Sequence, residues 1–163
     1  MKSYVLMVFA VLVSSVQVFA QAEGGRFPIG PDRTLTPGSY CTTPDSYRYK
    51  EHIPYCKRDV ETSEKMQIIQ DYNDKLGFRI EKKQRPQFKI DHLIPLCAGG
   101  SNQADNLWPQ HESIYKITDP IEGLACQRMG EGKLTQKKAI EMIFAAKHNL
   151  KKAPEILDLL QSM

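Results

Sequence analysis

Residues 90–111 read IDHLIPLCAGGSNQADNLWPQH, and this stretch decides how the chain folds. An apolar, strand-forming segment carries the adjacent pair Asp91 and His92, after which Gly99 and Gly100 favour a tight turn. The DNLWP that follows predicts a short returning strand, closed by its proline. Because ionisable groups beside buried residues are costly unless satisfied, the polar pair of this predicted hairpin either organises the turn or binds something.

A helix and a short strand are expected before the hairpin. Residues 62–77, TSEKMQIIQDYNDKLG, begin with residues that cap helices and place apolar side chains near one face. Gly77 is a good helix stop, so the helix should end there. Phe78 to Ile80 then predict a short strand.

Several helices are expected after the hairpin. One should start near His111 or Glu112, but Pro120 should interrupt it because proline removes a helix hydrogen bond. Asp119 and Glu122 then predict a capping pair for a second helix, which would end at Gly130. Two further helices are expected, after a threonine at position 135 and from a proline at position 154. The order of helix, hairpin and several helices predicts an α+β domain.

The first twenty residues, MKSYVLMVFAVLVSSVQVFA, have the three-part layout of a secretory signal peptide. Lys2 gives a positive start, residues 4–13 are apolar, and small residues close the segment. The apolar run is too short to span a bilayer, which takes roughly 20 apolar residues. We therefore expect a signal peptide at 1–20, an irregular Gly- and Pro-rich segment at 21–40, and a single domain at 41–163. The product should be secreted or periplasmic.

Four cysteines occur in the 163-residue chain, and none belongs to a Cys-x-x-Cys pair. A zinc ribbon or finger is therefore not indicated. An exported chain meets an oxidising compartment, where an even number of cysteines favours disulfides. Three pairings are possible, of which we favour Cys41–Cys56 and Cys97–Cys126. The first closes a local loop, and the second ties the hairpin turn to a later helix.

The net charge is a weak guide to partners, because the formal value of +3 falls to +2 once Lys2 is removed. The local distribution is more informative. Residues 79–89, RIEKKQRPQFK, concentrate basic side chains next to the Asp-His pair. Such a cluster is suited to phosphate binding, although a solvated surface loop has the same composition.

Phosphodiester hydrolysis needs an activated water, a Lewis acid on the phosphate and help for the leaving oxygen. Neighbouring residues of a strand point to opposite sides, so Asp91 can face a cation while His92 faces a water. Asn106 could hydrogen-bond across the hairpin and fix the ring or backbone of His92. A further metal ligand could come from the following helix, where His111 is the obvious nitrogen donor.

The sequence DHLIPL…GGSNQADNLWPQ resembles the HNH, or ββα-metal, nuclease motif, and it is most similar to exported bacterial HNH-type nucleases. The close resemblance covers residues 88–126, and a looser one covers residues 53–76. It implies a small β-hairpin plus helix surrounded by additional helices, without structural zinc.

The resemblance also implies roles for individual residues. His92 matches the general base, Asp91 the first metal ligand, and Asn106 the residue that orients the base. The chain departs from the pattern where a ligand is expected on the helix, because Ile114-Tyr115-Lys116 offers no good donor. The sequence favours His111 for this position.

Two other residues stay open as that ligand. They are Asp119 and Glu122, which the sequence also explains as a helix cap. Trp108 is better explained as a core residue than as a platform for a base. These features predict an exported endonuclease that uses one divalent ion, Mg, Mn, Ni or Zn.

The predicted substrate is DNA, with RNA also possible, and the predicted sequence specificity is low because phosphate contacts carry no sequence information. Lys82, Lys83, Arg85 and Lys116 are candidates to hold flanking phosphates. The alternative is a non-catalytic, disulfide-stapled export domain that binds nucleic acid or a cell-surface partner. Both alternatives keep the hairpin, the first as a catalytic element and the second as a scaffold.

Overall fold

Helices and two antiparallel hairpins form the structure, a computed structural model that describes residues 27–163. The elements, in chain order, are β1 (Ser46–Arg48), β2 (Ile53–Tyr55), α1 (Thr62–Leu76), β3 (Phe88–His92), β4 (Leu107–His111), α2 (Glu112–Gly130), α3 (Gln136–His148) and α4 (Ala153–Ser162). The α+β class predicted from the sequence is confirmed at this level. The predicted signal peptide at 1–20 lies outside the described residues, as does the beginning of the 21–40 segment. Across 27–163, no helix combines the length and the apolar character needed to cross a membrane.

The predicted hairpin is formed by β3 and β4, which pair as the only two strands of their sheet within the described chain. Asp91 lies opposite Trp108, and His92 lies opposite Leu107. The returning strand does not end at Pro109 but continues to His111. Proline is tolerated there because a strand of a two-stranded sheet needs hydrogen bonds on one side only.

The loop between β3 and β4 depends on a close approach at its glycine pair. A Cβ atom on Gly100 would lie 1.8 Å from the carbonyl oxygen of Ile94, so only glycine fits there. Gly99 adopts a left-handed conformation with φ of 86°. Asn106 is fully buried beside them and closes the loop with its side-chain amide, which accepts from Ile94 N–H and donates to Ile94 and Ser101 carbonyls.

Helix α2 runs without interruption from Glu112 to Gly130 and contains Pro120. The predicted break at this proline is therefore wrong, and so is the interpretation of Asp119 and Glu122 as a capping pair. Losing one helix hydrogen bond and straining one turn costs about 3 kcal/mol. The apolar side chains of α2 that are buried on both sides of the proline offset this cost, at about 1.5–3 kcal/mol for each large one; they include Ile114, Ile121 and Met129.

Two apolar clusters divide the core. One joins α2, α3 and α4, while the other joins α1 to the β3–β4 hairpin around Trp108 and Tyr72, both almost completely buried. The prediction that Trp108 is a core residue is confirmed. Helix α1 ends at Gly77 as predicted, with φ of 75°.

The predicted strand at Phe78–Ile80 is absent from the described fold. The side chain of Asn73 hydrogen-bonds to both backbone polar groups of Ile80. It accepts from the Ile80 N–H at 2.9 Å and donates to the Ile80 carbonyl at 3.2 Å. These backbone groups are therefore satisfied by a side chain rather than by a neighbouring strand.

Both predicted disulfides are present: one closes the segment that contains β1 and β2, and the other joins the loop between β3 and β4 to α2. Cys41–Cys56 has a Cα–Cα distance of 5.7 Å, and Cys97–Cys126 has one of 5.9 Å. The second bond ties the turn after the Asp-His pair to α2, as expected. Disulfides of this kind are typical of proteins outside the cytoplasm.

Candidate functional site

Strand β3 presents Asp91 and His92 to different surroundings, as the alternation of side chains along a strand requires. Both side chains are buried, with 6% and 4% of their surface exposed. Asp91 contacts the ammonium group of Lys147, whereas His92 faces Arg58 and the Asn102 side chain. The two side chains therefore have different partners, and their roles toward a metal ion and a water stay a prediction.

The hydrogen bonds around His92 fix which ring nitrogen carries the proton. Asn102 donates its amide N–H to the carbonyl of Lys57 at 2.7 Å, so its Oδ1 atom points toward His92. This oxygen lies 3.0 Å from His92 Nε2, which must therefore be the protonated nitrogen. Nδ1 is then left with a lone pair, and the nearest guanidinium nitrogen of Arg58 lies 3.4 Å from it.

Burial lowers the pKa of His92 to about 4, although the hydrogen bond that Nε2 donates to Asn102 acts to raise it. The positive charge of Arg58 acts in the same direction as burial. The imidazole is therefore neutral at neutral pH. A neutral imidazole with an oriented lone pair is the form that can accept a proton.

Among the described hydrogen bonds, none joins Asn106 to the His92 side chain. The backbone carbonyl of Asn106 accepts from Leu93 N–H at 2.8 Å, and its side-chain amide oxygen accepts from Ile94 N–H. The backbone immediately after His92 is therefore fixed by Asn106. The sequence predicted that Asn106 fixes the ring or the backbone of His92. In the structure Asn106 hydrogen-bonds to the backbone of the two residues that follow His92.

Three carboxylates gather on the other side of β3. Asp91, Asp119 and Glu122 each place an oxygen within 4.8 Å of the others. Asp119 and Glu122 come from neighbouring turns of α2, so an uninterrupted α2 is what brings them to Asp91. Burial differs within this acidic trio: Asp91 is buried, Glu122 is half-buried and Asp119 is exposed.

Two lysines already place cations among these carboxylates. Lys147 Nζ lies 2.6 Å from Asp91 Oδ2, 2.7 Å from Glu122 Oε1 and 2.5 Å from the His92 carbonyl. Lys89 Nζ lies 3.1 Å from Asp91 Oδ1 and 2.6 Å from Asp119 Oδ1. Each oxygen of Asp91 therefore has its own ammonium partner.

Lys147 has no exposed surface and depends on these partners to remain charged. Burial acts to lower the pKa of Lys147, but the charges of Asp91 and Glu122 outweigh it and raise this pKa. Burial likewise acts to raise the pKa of Asp91, and the two lysines outweigh it and lower this pKa. For Glu122, burial dominates and raises the pKa to about 7.

The sequence interpretation missed Lys147, although a signal for it was present. In α3, position 147 follows Ile140 and Ile143 at the i+7 and i+4 spacing of the buried stripe. A lysine on a buried stripe requires an acidic partner, because an unpaired buried charge is strongly unfavourable. The acidic residue of β3 was the natural candidate.

His111 lies elsewhere on the hairpin. It pairs with Phe88, three positions along β3 from Asp91, and caps the start of α2 by accepting from Ser113 N–H through Nδ1. Its ring stacks on Phe27 at 3.9 Å between centroids. Within residues 27–163, the acidic trio is the group of potential ligands that converges on Asp91, and His111 is not a member of it.

The donor set of the trio fits a divalent cation at one position. Carboxylate oxygens are the ligands that Mg²⁺ and Mn²⁺ prefer. The Lys89 ammonium is already a cation bound by both Asp91 Oδ1 and Asp119 Oδ1, and its side chain is 34% exposed. The position of Lys147 is closed by burial, so an ion would have to replace Lys89.

Comparison with known proteins identifies no family for this chain: no family model, curated protein or solved structure matches it.

Proposed function

We propose that this protein is a metal-dependent HNH-type endonuclease that hydrolyses phosphodiester bonds of DNA with low sequence specificity. The observation that carries the proposal is the neutral, oriented His92 imidazole directly beside Asp91 of the acidic trio. β3 and β4, with two short 3-10 turns between them, are followed directly by α2, and this order is the one expected of a ββα-metal core. The motif resemblance supports the same activity.

The protein residues around His92 would orient the general base. His92 would take the proton of the attacking water at Nδ1, while Asn102 holds the Nε2 proton. Asn106 fixes the backbone after His92, and Lys147 fixes the His92 carbonyl. For Nδ1 to receive a proton, Arg58 must yield its place beside the ring to the water.

Asp91 and Asp119 would hold the metal, with Glu122 as the neighbouring carboxylate. The bound ion would supply a Lewis acid for the phosphate and the leaving oxygen. An all-oxygen set favours Mg²⁺ or Mn²⁺ over Ni²⁺ or Zn²⁺, and Asp119 replaces His111 as the preferred helix ligand. Lys89 would leave its two carboxylates when the ion binds.

The basic surface near the hairpin supports binding to a polyanion. Of the four candidates from the sequence, Lys83 and Lys116 are engaged in ion pairs of 2.9 Å with Glu81 and Glu112. Contacts to phosphates position a nucleic acid without reading its sequence, which supports low specificity. The two disulfides support action in a secreted or periplasmic setting.

Plasmid degradation tests this proposal. The purified, disulfide-bonded protein should nick and linearise supercoiled plasmid with Mg²⁺ or Mn²⁺, and EDTA should stop the reaction. Re-addition of the ion in excess over EDTA should restore it. Plasmid that stays intact under all ionic conditions would rule out the nuclease activity.

A non-catalytic, nucleic-acid-binding export domain is the second candidate. The observation in its favour is that Lys89 and Lys147 already neutralise much of the acidic trio without a metal. The same experiment separates the two candidates, because a binding domain would shift plasmid mobility on a gel without cutting it.

A further inference from the structure

A hollow of about 240 Å³ lies beside β3, and its lining is strongly cationic. Arg58, Lys65, Arg85 and Lys89 contribute four positive side chains, while Ile69 and Phe88 contribute apolar surface. None of the described residues that line this hollow is acidic. A concave surface with several cations and no carboxylate is a favourable environment for an anion.

Three of these cations have no carboxylate partner among the described residues: Arg58, whose contacts are the Ile90 carbonyl and His92, and Lys65 and Arg85. Within residues 27–163, neither Lys65 nor Arg85 forms a salt bridge, and the side-chain contact of Arg85 is with the sulfur of Met66 at 3.4 Å. Lys65 extends from α1 and Arg85 from the short 3-10 turn before β3, so they approach the hollow from separate elements. Their charges are therefore available to a ligand.

Arg58 and Lys89 connect the hollow to the candidate active site. Arg58 donates to the Ile90 carbonyl at 2.7 Å and lies 3.4 Å from His92 Nδ1. Lys89 lies 3.1 Å from Asp91 Oδ1. Arg58, which contacts His92, and Lys89, which contacts Asp91, therefore both line the hollow. The His92 and Asp91 side chains themselves face different sides of β3.

We propose that this hollow binds a phosphate group of a polynucleotide strand, with Lys65 and Arg85 as its principal ligands. Arg85 can make two parallel hydrogen bonds to phosphate oxygens, and Lys65 adds a compact charge. Arg58 and Lys89, which also line the hollow, contact His92 and Asp91, so the bound phosphate would lie at the edge of the candidate active site. The inference rests on the proposed function, and it assigns phosphate binding to Lys65, which the sequence pattern did not single out.

The salt dependence of DNA binding tests the site without any cleavage. A fluorescent DNA duplex is titrated with the protein in EDTA at several NaCl concentrations, and binding is followed by anisotropy. Each phosphate contact contributes about 0.9 to the slope of log K against log salt. Lys65 and Arg85 share one phosphate, so the Lys65→Ala/Arg85→Ala variant should lose about 0.9 from this slope and bind more weakly at every salt concentration.

A matched control removes two positive charges elsewhere. Lys50 and Lys137 are exposed and do not line the hollow, so Lys50→Ala/Lys137→Ala should keep the parental slope. Both variants should melt within a few degrees of the parent, which shows that they are folded. A Lys65→Ala/Arg85→Ala variant with the slope and affinity of the control would overturn the proposal.

Two further outcomes are decisive. Inorganic phosphate is titrated calorimetrically into the parent, and binding as tight as that of the duplex would mean that the hollow holds a free anion, which also overturns the proposal. A parent that binds duplex through Lys65 and Arg85 but never cuts it would refute the hydrolytic function and leave this site standing. Cutting by the parent, with unchanged binding in the double variant, would refute this site alone.

Discussion

The ammonium nitrogen of Lys147 lies 2.6 Å from Asp91 Oδ2, and the lysine has no exposed surface. The pair joins α3 to β3 through two residues that are 56 positions apart in the chain. Lys147 also reaches the carbonyl of His92, so one buried cation holds both residues of the Asp-His pair. The conformation of the candidate site therefore depends on a residue from outside the hairpin.

Removal of this ammonium should be strongly destabilising. Lys147→Met leaves the buried Asp91 carboxylate without one of its partners, and we expect a loss of about 3–5 kcal/mol in the free energy of unfolding, measured in urea. Lys138→Met breaks an exposed pair with Glu141 and should cost less than about 1 kcal/mol. Equal losses of unfolding free energy in the two variants would show that the buried Lys147–Asp91 pair contributes no more to stability than an exposed pair.

The pH dependence of stability should contain two opposing contributions. The folded pKa of His92 is about 4 against an ordinary value of 6.5, so its contribution to stability is present above pH 6.5 and is lost as the pH falls toward 4. The folded pKa of Glu122 is about 7 against 4.5, so its contribution is present below pH 4.5 and is lost as the pH rises toward 7. The two effects overlap between pH 4.5 and 6.5.

Single substitutions should separate these contributions in metal-free protein. Glu122→Gln should make stability increase more steeply with pH in this range, by up to about 1.4 kcal/mol per pH unit. His92→Asn should change the slope by a similar amount in the opposite direction. Urea unfolding at pH 4.5, 5.5 and 6.5 measures both slopes, and curves parallel to the parent would refute the assignment.

The glycine at position 100 should be irreplaceable. In Gly100→Ala the new methyl group would lie 1.8 Å from the Ile94 carbonyl oxygen and 2.9 Å from the Asn106 amide nitrogen. The loop must move, and we expect a loss on the order of 3 kcal/mol or more in unfolding free energy. Gly123 in α2 has open space around it, so Gly123→Ala should stabilise the protein by up to about 1 kcal/mol. The account of the loop is contradicted if both substitutions have the same effect.

Metal affinity should identify the ligands. Lys89 competes with an ion for Asp91 Oδ1 and Asp119 Oδ1, so Lys89→Met should bind Mn²⁺ more tightly than the parent in a titration followed by electron paramagnetic resonance. Asp119→Asn should bind it more weakly. His111→Ala should match the parent, because its ring lies outside the acidic trio. Loss of affinity in the His111 variant alone would restore the ligand favoured by the sequence.

The features that could be predicted from the sequence are those that neighbouring residues determine. The end of α1 at Gly77 and the hairpin around Gly99-Gly100 follow from turn chemistry and apolar spacing, and both are found. The disulfide partners Cys97 and Cys126 were also preferred correctly. Each of these predictions concerned a residue type that leaves few alternatives.

The wrong predictions about α2 have a tertiary cause. Pro120 is a strong helix breaker locally, but the apolar side chains of α2 on both sides of it pack into the core and keep the helix whole. Because α2 is continuous, Asp119 and Glu122 do not cap a helix but lie inside α2, close to Asp91. Lys147 and Asp91 are 56 residues apart, so the signal for their contact lay in the buried stripe of α3 and not in the hairpin.

Cleavage of supercoiled plasmid by His92→Ala is the most direct test of the central claim, because His92 is the proposed base. We predict that His92→Ala loses cutting with Mg²⁺ or Mn²⁺ while it still binds DNA and keeps a cooperative thermal transition. His52→Asn, which replaces an exposed histidine with a residue that tolerates its φ of 53°, should cut at the parental rate. Parental cutting by His92→Ala would contradict the mechanism.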